Sequence, residues 1–88
     1  MSEEYWYNRI KRDLVRHRKN IKIQCSVCGK EIGYYEIYAL LHRKGRLRYM
    51  CLQCFYNSLN DFQKQILKKV LNDKFKIPFE EIEKMFQK

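Results

Sequence analysis

Four cysteines, arranged as two Cys-x-x-Cys pairs, are the residues of this chain best suited to chemistry. Cys25 and Cys28 form the first pair, Cys51 and Cys54 form the second, and residues 29–50 separate them. An i, i+3 spacing lets one tight turn present two sulfurs to the same metal ion, and four thiolates complete the tetrahedral coordination of a structural zinc site. The spacing therefore predicts a structural Zn²⁺ without an open coordination position for catalysis.

Other uses of the cysteines remain open at this point: two disulfides, a redox-active pair, small buried side chains, or an iron–sulfur cluster. The first residues, MSEEYWYNRIKRD, are polar and acidic at their start and do not form a secretory signal. We therefore expect an intracellular, reducing location in the cytoplasm, where disulfides are disfavoured. Gly29 follows the first pair, where a glycine permits a turn whose backbone N–H groups point at the sulfurs.

Basic residues give the chain a strong positive charge. It holds 19 Lys and Arg against 10 Asp and Glu, a formal net charge of +9, and all seven arginines lie in residues 1–48. Such a field attracts nucleic acid, an anionic membrane surface or an acidic protein, and the alternative is a solvated surface that maintains solubility. No apolar run approaches the roughly 18 to 20 residues that span a bilayer, so we expect no membrane partner.

The first element expected to carry functional side chains is a helix predicted over residues 3–19. Ser2 is its N-cap, acidic residues occupy its first turn and basic residues its last. On a helical wheel its apolar side contains Trp6, Ile10, Leu14 and His17. The opposite side carries a basic stripe, predicted to contact nucleic acid: Arg9, Arg12, Arg16 and Lys19.

A β-hairpin is predicted between the cysteine pairs. Residues 21–24 enter the first pair as a short strand, and YYEIYALLH and RLRYM are interpreted as two strands joined by a turn at Gly45. A second group of predicted nucleic-acid contacts lies on this hairpin: Arg43, Lys44, Arg46 and Arg48. Four tyrosines either form the core of the small sheet or stack on the bases of a single strand: Tyr34, Tyr35, Tyr38 and Tyr49.

From Leu52 onward the apolar residues recur with a helical period. We predict a short helix near residues 52–59 and a longer one near 61–74. Asn60 or Asp61 is the candidate cap of the second helix, and Gln63 follows Asn60 at the spacing of a capping box. The apolar stripe contains Phe55, Leu59, Phe62, Ile66, Leu67, Val70 and Leu71. A last helix after Pro78 is expected to be structural, with one apolar face: Phe79, Ile82, Met85 and Phe86.

The order of cysteine turn, hairpin and helix resembles the treble-clef zinc finger over residues 21–60. This resemblance implies an α+β fold, a small treble-clef zinc finger with an N-terminal helix and additional C-terminal helices. We expect one domain over residues 1–88, made of a basic helix (1–20), the zinc module (21–60) and C-terminal helices (61–88). A chain this short buries only about 60 to 65% of the surface of its unfolded form, so a metal staple is expected.

The stretch LLHRKGRLRYMCLQCFYNSL also resembles zinc-containing HNH endonucleases of the phage recombination endonuclease type. The matching positions are His42, Gly45, Arg48, Cys51 and Cys54. Ala39 and Leu40 stand where those enzymes have Asp-His, and Phe55 stands where they have Asn. Because a single histidine without a nearby carboxylate cannot assemble a metal site that activates water, we expect no catalytic residues and no enzyme activity.

These patterns together predict a zinc-containing nucleic-acid-binding protein, a regulatory or accessory factor for which double-stranded DNA is favoured over RNA. The first alternative is a protein-interaction module that forms a homodimer or docks on a host partner such as the transcription or translation machinery. The second is an HNH-like nuclease. The abundance of Lys, Ile, Tyr, Phe and Asn and the absence of Thr are compatible with an A+T-rich genome, as in a virus or an archaeal thermophile.

Overall fold

A computed structural model of the chain describes residues 2–86; Met1, Gln87 and Lys88, which belong to the predicted segments 1–20 and 61–88, lie outside the described residues. The described residues form four helices and five strands, which confirms the α+β class. In chain order the elements are α1 (Glu3–Asp13), β1 (Leu14–Arg16), β2 (Ile23–Gln24), β3 (Glu31–Ile32), β4 (Ile37–Arg43), β5 (Arg46–Cys51), α2 (Leu52–Asn57), α3 (Asp61–Phe75) and α4 (Phe79–Met85). Among these described helices, none has the length and apolar character needed to cross a membrane.

The chain forms two structural units. The cysteine unit is Asp13–Ser58 and contains the strands and α2, whereas the helical unit is Met1–Arg12 together with Leu59–Lys88. The single domain over residues 1–88 stays a prediction.

In the cysteine unit, β4 is the central strand of an antiparallel sheet in the order β1-β4-β5, and β2 and β3 form a separate two-stranded ladder. Residues directly opposite each other on antiparallel strands share a face. Tyr38 lies opposite both Val15 and Cys51, and this face packs with Ile23 and Ile32. The other face buries Leu14, Ala39 and Met50.

The predicted helix over residues 3–19 is wrong beyond Asp13, because the chain continues as strand β1. In a strand, Leu14 and Val15 point to opposite faces of the sheet, and both faces are covered. Leu14 is fully buried, and Val15 packs against the cluster that contains the cysteines. Pairing with β4 therefore overrides the helical period. His17, predicted to lie on the apolar side, is buried, but within the cysteine unit after β1.

The predicted hairpin forms, but it is shorter than expected. Lys44 and Gly45 connect β4 and β5, and both have positive φ, 49° and 76°, as in the two-residue turns that suit a right-twisted hairpin. β4 begins at Ile37 rather than Tyr34, because residues 33–36 form a separate turn. Strand β3, which pairs with β2, was not predicted from the sequence.

The helical unit confirms the predicted cap and most of the predicted stripe. Gln63 N–H donates to Asn60 Oδ1 (2.8 Å), and Asn60 N–H donates to Gln63 Oε1 (3.1 Å), which completes the capping box of α3. The residues of α3 that are buried are Ile66, Leu67, Val70 and Leu71. Three residues of the predicted apolar faces are exposed: Phe62, Phe79 and Met85. Phe79 and Met85 end the two-turn α4, so Ile82 at its centre is the residue of that helix that is buried.

Three side-chain contacts tie α1 to α3 within the helical unit. Lys69 pairs with Glu3 (2.8 Å), Tyr7 donates to Asp73 (2.6 Å), and Lys74 donates to the Lys11 carbonyl (2.6 Å). Residue numbers rise together on both helices, so α1 and α3 run in the same direction. The hydrogen bond to Asp73, with a smaller effect of burial, raises the pKa of Tyr7.

Candidate metal centre

The four cysteine side chains meet at one point of the cysteine unit. Their Sγ atoms all lie within 4.8 Å of one another, and those of Cys28 and Cys51 are 3.8 Å apart. A tetrahedral zinc ion with bonds of about 2.3 Å holds its sulfurs about 3.8 Å apart, whereas disulfide sulfurs are only about 2.05 Å apart. All four are free cysteines. The cluster could therefore hold a metal ion.

The first pair lies in the turn between β2 and β3. Cys25 N–H donates to the Lys30 carbonyl (2.8 Å), and Gly29 N–H donates to the Cys25 carbonyl (3.0 Å). Gly29 has φ +78°, and nothing lies within 4 Å of where a Cβ would stand, so backbone conformation alone favours glycine there. An amide does point at sulfur, as predicted, and it belongs to Val27, 3.4 Å from Cys25 Sγ.

The second pair lies where β5 becomes α2. Cys51 ends β5 and is the N-cap residue of α2, and Cys54 follows in the first helical turn. The first N–H groups of a helix lack partners within the helix and favour negative charge nearby. One short segment therefore presents two sulfurs and the backbone donors that stabilise thiolates.

Burial and backbone donors act in opposite directions on the thiols. Burial raises the pKa of Cys25, but three backbone N–H groups outweigh it and lower that pKa to about 6: those of Cys28, Cys51 and Val27. Burial raises the pKa of Cys51, and burial together with hydrogen bonds among the cysteines raises that of Cys54. A metal ion binds cysteine as the thiolate, so metal binding at this cluster would release the protons that the thiols carry.

Ser26, which no sequence pattern indicated, connects the first pair to β5. Its N–H and its hydroxyl both donate to the Tyr49 carbonyl, at 2.7 and 2.9 Å. Its hydroxyl also accepts a bond from Arg48 Nε at 3.1 Å. The sequence signal is only a small polar residue between two cysteines. Ser26 thus joins the first cysteine pair to the β4–β5 hairpin by hydrogen bonds.

The hairpin brings its predicted contact residues together. Arg43 lies directly opposite Arg46, and Arg48 lies opposite Leu41, so the three arginines share one face. Lys44 occupies the turn, and every residue from 42 to 48 is exposed. Within residues 2–86, neither Arg43 nor Arg46 has an ion-pair partner.

The other predicted contact residues do not form the expected stripe. Arg9 and Arg12 lie on α1, where Arg9 donates to Tyr5 Oη (3.2 Å) and stands over the Trp6 ring. Arg16 lies in β1, is half-buried and donates to the Tyr35 carbonyl (2.9 Å). Lys19 is exposed beyond β1. The predicted basic stripe along one helix is wrong, because α1 ends at Asp13, before Arg16 and Lys19.

The four tyrosines divide into two pairs. Tyr38 is buried and Tyr49 is half-buried, and both belong to the core beside the cysteines, where burial raises the pKa of Tyr38. Tyr34 and Tyr35 are exposed in the turn before β4. The sheet-core interpretation therefore holds for the first pair and fails for the second.

Comparison of the chain with protein-family models, with curated proteins and with solved structures gives no match, and none supports the resemblance to HNH endonucleases. The fold and the site define a broad class: a small α+β protein whose cluster of four cysteines could hold a metal ion.

Proposed function

We propose that the cluster of Cys25, Cys28, Cys51 and Cys54 binds a structural Zn²⁺ in a treble-clef arrangement. The β2–β3 turn, the β4–β5 hairpin and α2 occur in the order that this arrangement requires, and the sulfur spacing suits zinc. With four protein ligands, zinc has no open position for water, so its role is to hold the unit in its folded form.

We further propose that the protein binds nucleic acid through the basic hairpin. The observation that carries this proposal is the directly opposed pair Arg43 and Arg46, which has no acidic partner in residues 2–86. Like charges opposite each other destabilise a hairpin, so the pair does not serve folding. Binding to a polyanion would neutralise both charges, because the guanidinium group binds phosphate well. No Asp or Glu occurs between Glu36 and Asp61, so the hairpin lies in a segment free of competing negative charge.

Double-stranded DNA is the favoured ligand, because a two-stranded ribbon fits the major groove, which is about 12 Å wide. The proposed role is that of an intracellular regulatory or accessory factor, not an enzyme. His42 is exposed on β4, and the residues near it in the sequence do not supply the carboxylate that a nuclease site needs.

The test is duplex binding by the variant Arg43→Gln/Arg46→Gln, measured by fluorescence anisotropy at two or more salt concentrations. We expect a salt slope shallower by about 0.9 for each phosphate that the variant no longer neutralises, hence about 2 for the pair. Removing two opposed like charges should not destabilise the hairpin, so we expect the variant to stay folded and any weaker binding to report the lost charges.

The matched control is Lys76→Gln/Lys84→Gln, which removes two exposed positive charges, one at the C-cap of α3 and one in α4. A separate variant, Arg9→Gln/Arg12→Gln, measures the contribution of α1. If the hairpin variant loses no more affinity than the lysine control, the proposed interface is wrong.

A protein-docking role is the second candidate, favoured by exposed apolar side chains in the helical unit: Phe62, Phe79 and Met85, which are 48%, 51% and 38% exposed. Such residues serve as contacts in a homodimer or with a larger partner. Association that persists at high salt and is lost in Phe62→Ser/Phe79→Ser supports this candidate, whereas DNA binding weakens as salt rises.

A further inference from the structure

Two adjacent tyrosines form the exposed tip of the turn that links β3 to β4. Tyr34 and Tyr35 are 58% and 55% exposed, and their ring centroids are 4.2 Å apart with an interplanar angle of 59°. Burial does not account for these two large aromatic side chains, since each leaves more than half of its surface open to solvent. The hairpin function described above does not use them either.

Tyr35 adopts an unfavourable backbone conformation. The turn is closed by Glu36 N–H donating to the Gly33 carbonyl (3.1 Å), and Tyr35, at its third position, has φ +70°. Glycine or asparagine is the usual residue where a turn requires positive φ at this position. A bulky side chain there is disfavoured for folding, and backbone strain of this kind is concentrated at functional sites.

The turn is nevertheless held firmly by the residues that follow β1. Tyr35 N–H donates to the His17 carbonyl (2.7 Å), and His17 N–H donates to the Glu36 carbonyl (2.9 Å). The buried His17 ring meets the Tyr34 ring edge to face, with centroids 6.3 Å apart and an interplanar angle of 78°. The two aromatic rings are therefore presented on a preorganised backbone, which lowers the entropic cost of binding.

Positive charge lies beside the tyrosine pair. The Arg16 guanidinium donates to the Tyr35 carbonyl (2.9 Å), and the exposed residues that follow β1 include Arg18 and Lys19. The carboxylate in the turn, Glu36, is engaged by the Gly33 N–H and by Lys30 (3.6 Å). An aromatic surface next to basic side chains is the combination that binds single-stranded nucleic acid, in which bases stack on the rings and cations contact the backbone.

We propose that Tyr34 and Tyr35 form a stacking platform for an unpaired base of a polynucleotide. The inference rests on the proposed nucleic-acid binding and adds that the ligand includes an unpaired segment. The platform lies before β4, and the arginine pair of the basic hairpin lies at the other end of this strand. β4 has seven residues, so at about 3.3 Å per residue it spans roughly 20 Å. A duplex with a single-stranded tail can therefore contact the hairpin with its paired part and the platform with its tail.

The experiment uses the full chain with metal bound and four labelled probes: a blunt duplex and the same duplex with a thymidine, a uridine or an abasic tail of equal length. The abasic tail keeps the phosphates and lacks the bases, so it isolates stacking from charge. We expect the wild-type protein to bind the thymidine tail about tenfold more tightly than the abasic tail, as stacking of one base on an aromatic ring predicts. The uridine tail shows whether DNA and RNA are both accepted.

Two variants remove the rings. Tyr35→Gly relieves the positive-φ strain, so its unfolding midpoint should be no lower than that of the wild-type protein. Tyr34→Ser/Tyr35→Gly removes the whole platform. Both should lose the preference for the base-bearing tail while keeping their affinity for the blunt duplex. Tyr34→Phe, which keeps the ring, should behave as the wild-type protein does.

The outcomes separate this inference from the proposed function. Equal affinity of the wild-type protein for thymidine and abasic tails, with the blunt duplex still bound, overturns the platform and leaves hairpin binding intact. A tail preference that survives in Tyr34→Ser/Tyr35→Gly overturns it as well. No binding of any probe at low salt overturns both proposals.

Discussion

The helical unit and the cysteine unit contain different kinds of core. The helical unit buries aliphatic side chains from three helices: Ile10, Ile66, Leu67, Val70, Leu71 and Ile82. In the cysteine unit, the buried cluster on one face of the sheet includes two of the potential metal ligands, Cys25 and Cys51. Burial of apolar area stabilises the helical unit directly. The cysteine unit has thiols in its interior, which binding to a metal ion would stabilise.

The two units also treat surface charge differently. In the helical unit, exposed lysines pair with acidic residues, as Lys68 does with Glu83 (3.1 Å) and Lys69 with Glu3 (2.8 Å). In the cysteine unit, Arg43 faces Arg46 across the hairpin. The cysteine unit also has an ion pair, between Lys30 and Glu36 (3.6 Å), so the difference lies in the hairpin, whose opposed arginines are the charges proposed to bind a ligand.

Metal removal should produce the largest effect, and it should unfold the cysteine unit while the helical unit stays folded. In small structural zinc modules the metal contributes roughly 10 kcal/mol or more to folding. We therefore expect a chelator, or the variant Cys51→Ser, to abolish amide-exchange protection in residues 13–58 while α3 amides stay protected. Hydrogen exchange measured by NMR, together with metal content by mass spectrometry, checks this.

The control for Cys51→Ser is Gln53→Ser, an exposed position in the same segment that offers no thiol. It should retain the metal. Loss of α3 protection on chelation would show that both units depend on the metal, and unchanged protection of residues 13–58 would show that the metal does not hold the cysteine unit together.

A cavity in the helical unit should have the next largest effect. Leu67 is fully buried, so Leu67→Ala is expected to lower the free energy of unfolding of this unit by about 2 to 5 kcal/mol. Metal content should be unchanged. Denaturant titration followed through α3 amides measures the loss, and Phe62→Ala, at a position 48% exposed, provides a control with a much smaller effect. A lower metal affinity in Leu67→Ala would show that the metal site depends on the core of the helical unit, contrary to this expectation.

A backbone change beside the cluster should have the smallest effect of the three. Gly29 has φ +78° with open space around it, so Gly29→Ala introduces strain without a clash. The left-handed conformation costs a residue with a Cβ about 1 kcal/mol, which corresponds to about fivefold weaker metal binding. Competition with a coloured chelator measures the affinity. Gly29→Asn should recover part of it, because asparagine tolerates this conformation better; equal affinity of all three proteins would show that the turn does not constrain the site.

Local patterns in the sequence correctly predicted several elements. The two Cys-x-x-Cys pairs indicated the cluster, the order Asn60-x-x-Gln63 indicated the capping box, and Gly45 indicated the hairpin turn. Each depends on residues a few positions apart, whose geometry is set by backbone sterics and short hydrogen bonds.

Features that depend on distant partners were not predictable in this way. The period of residues 3–19 favours a helix, and only pairing of Leu14 with Ala39 on β4 shows why the chain becomes a strand. The sequence also left open whether Phe62 is buried or exposed, since its place in an apolar stripe does not reveal whether another element covers it.

The sequence by itself determined the four thiols, their spacing and the excess of arginine, because these are properties of composition and short-range order. The tertiary structure decided that Arg43, Arg46 and Arg48 share one face, that Ser26 ties the cluster to β5, and that Tyr34 and Tyr35 stand in solvent on a fixed turn. Strand register and the covering of a face arise from contacts between segments far apart in the chain, and no local pattern specifies them.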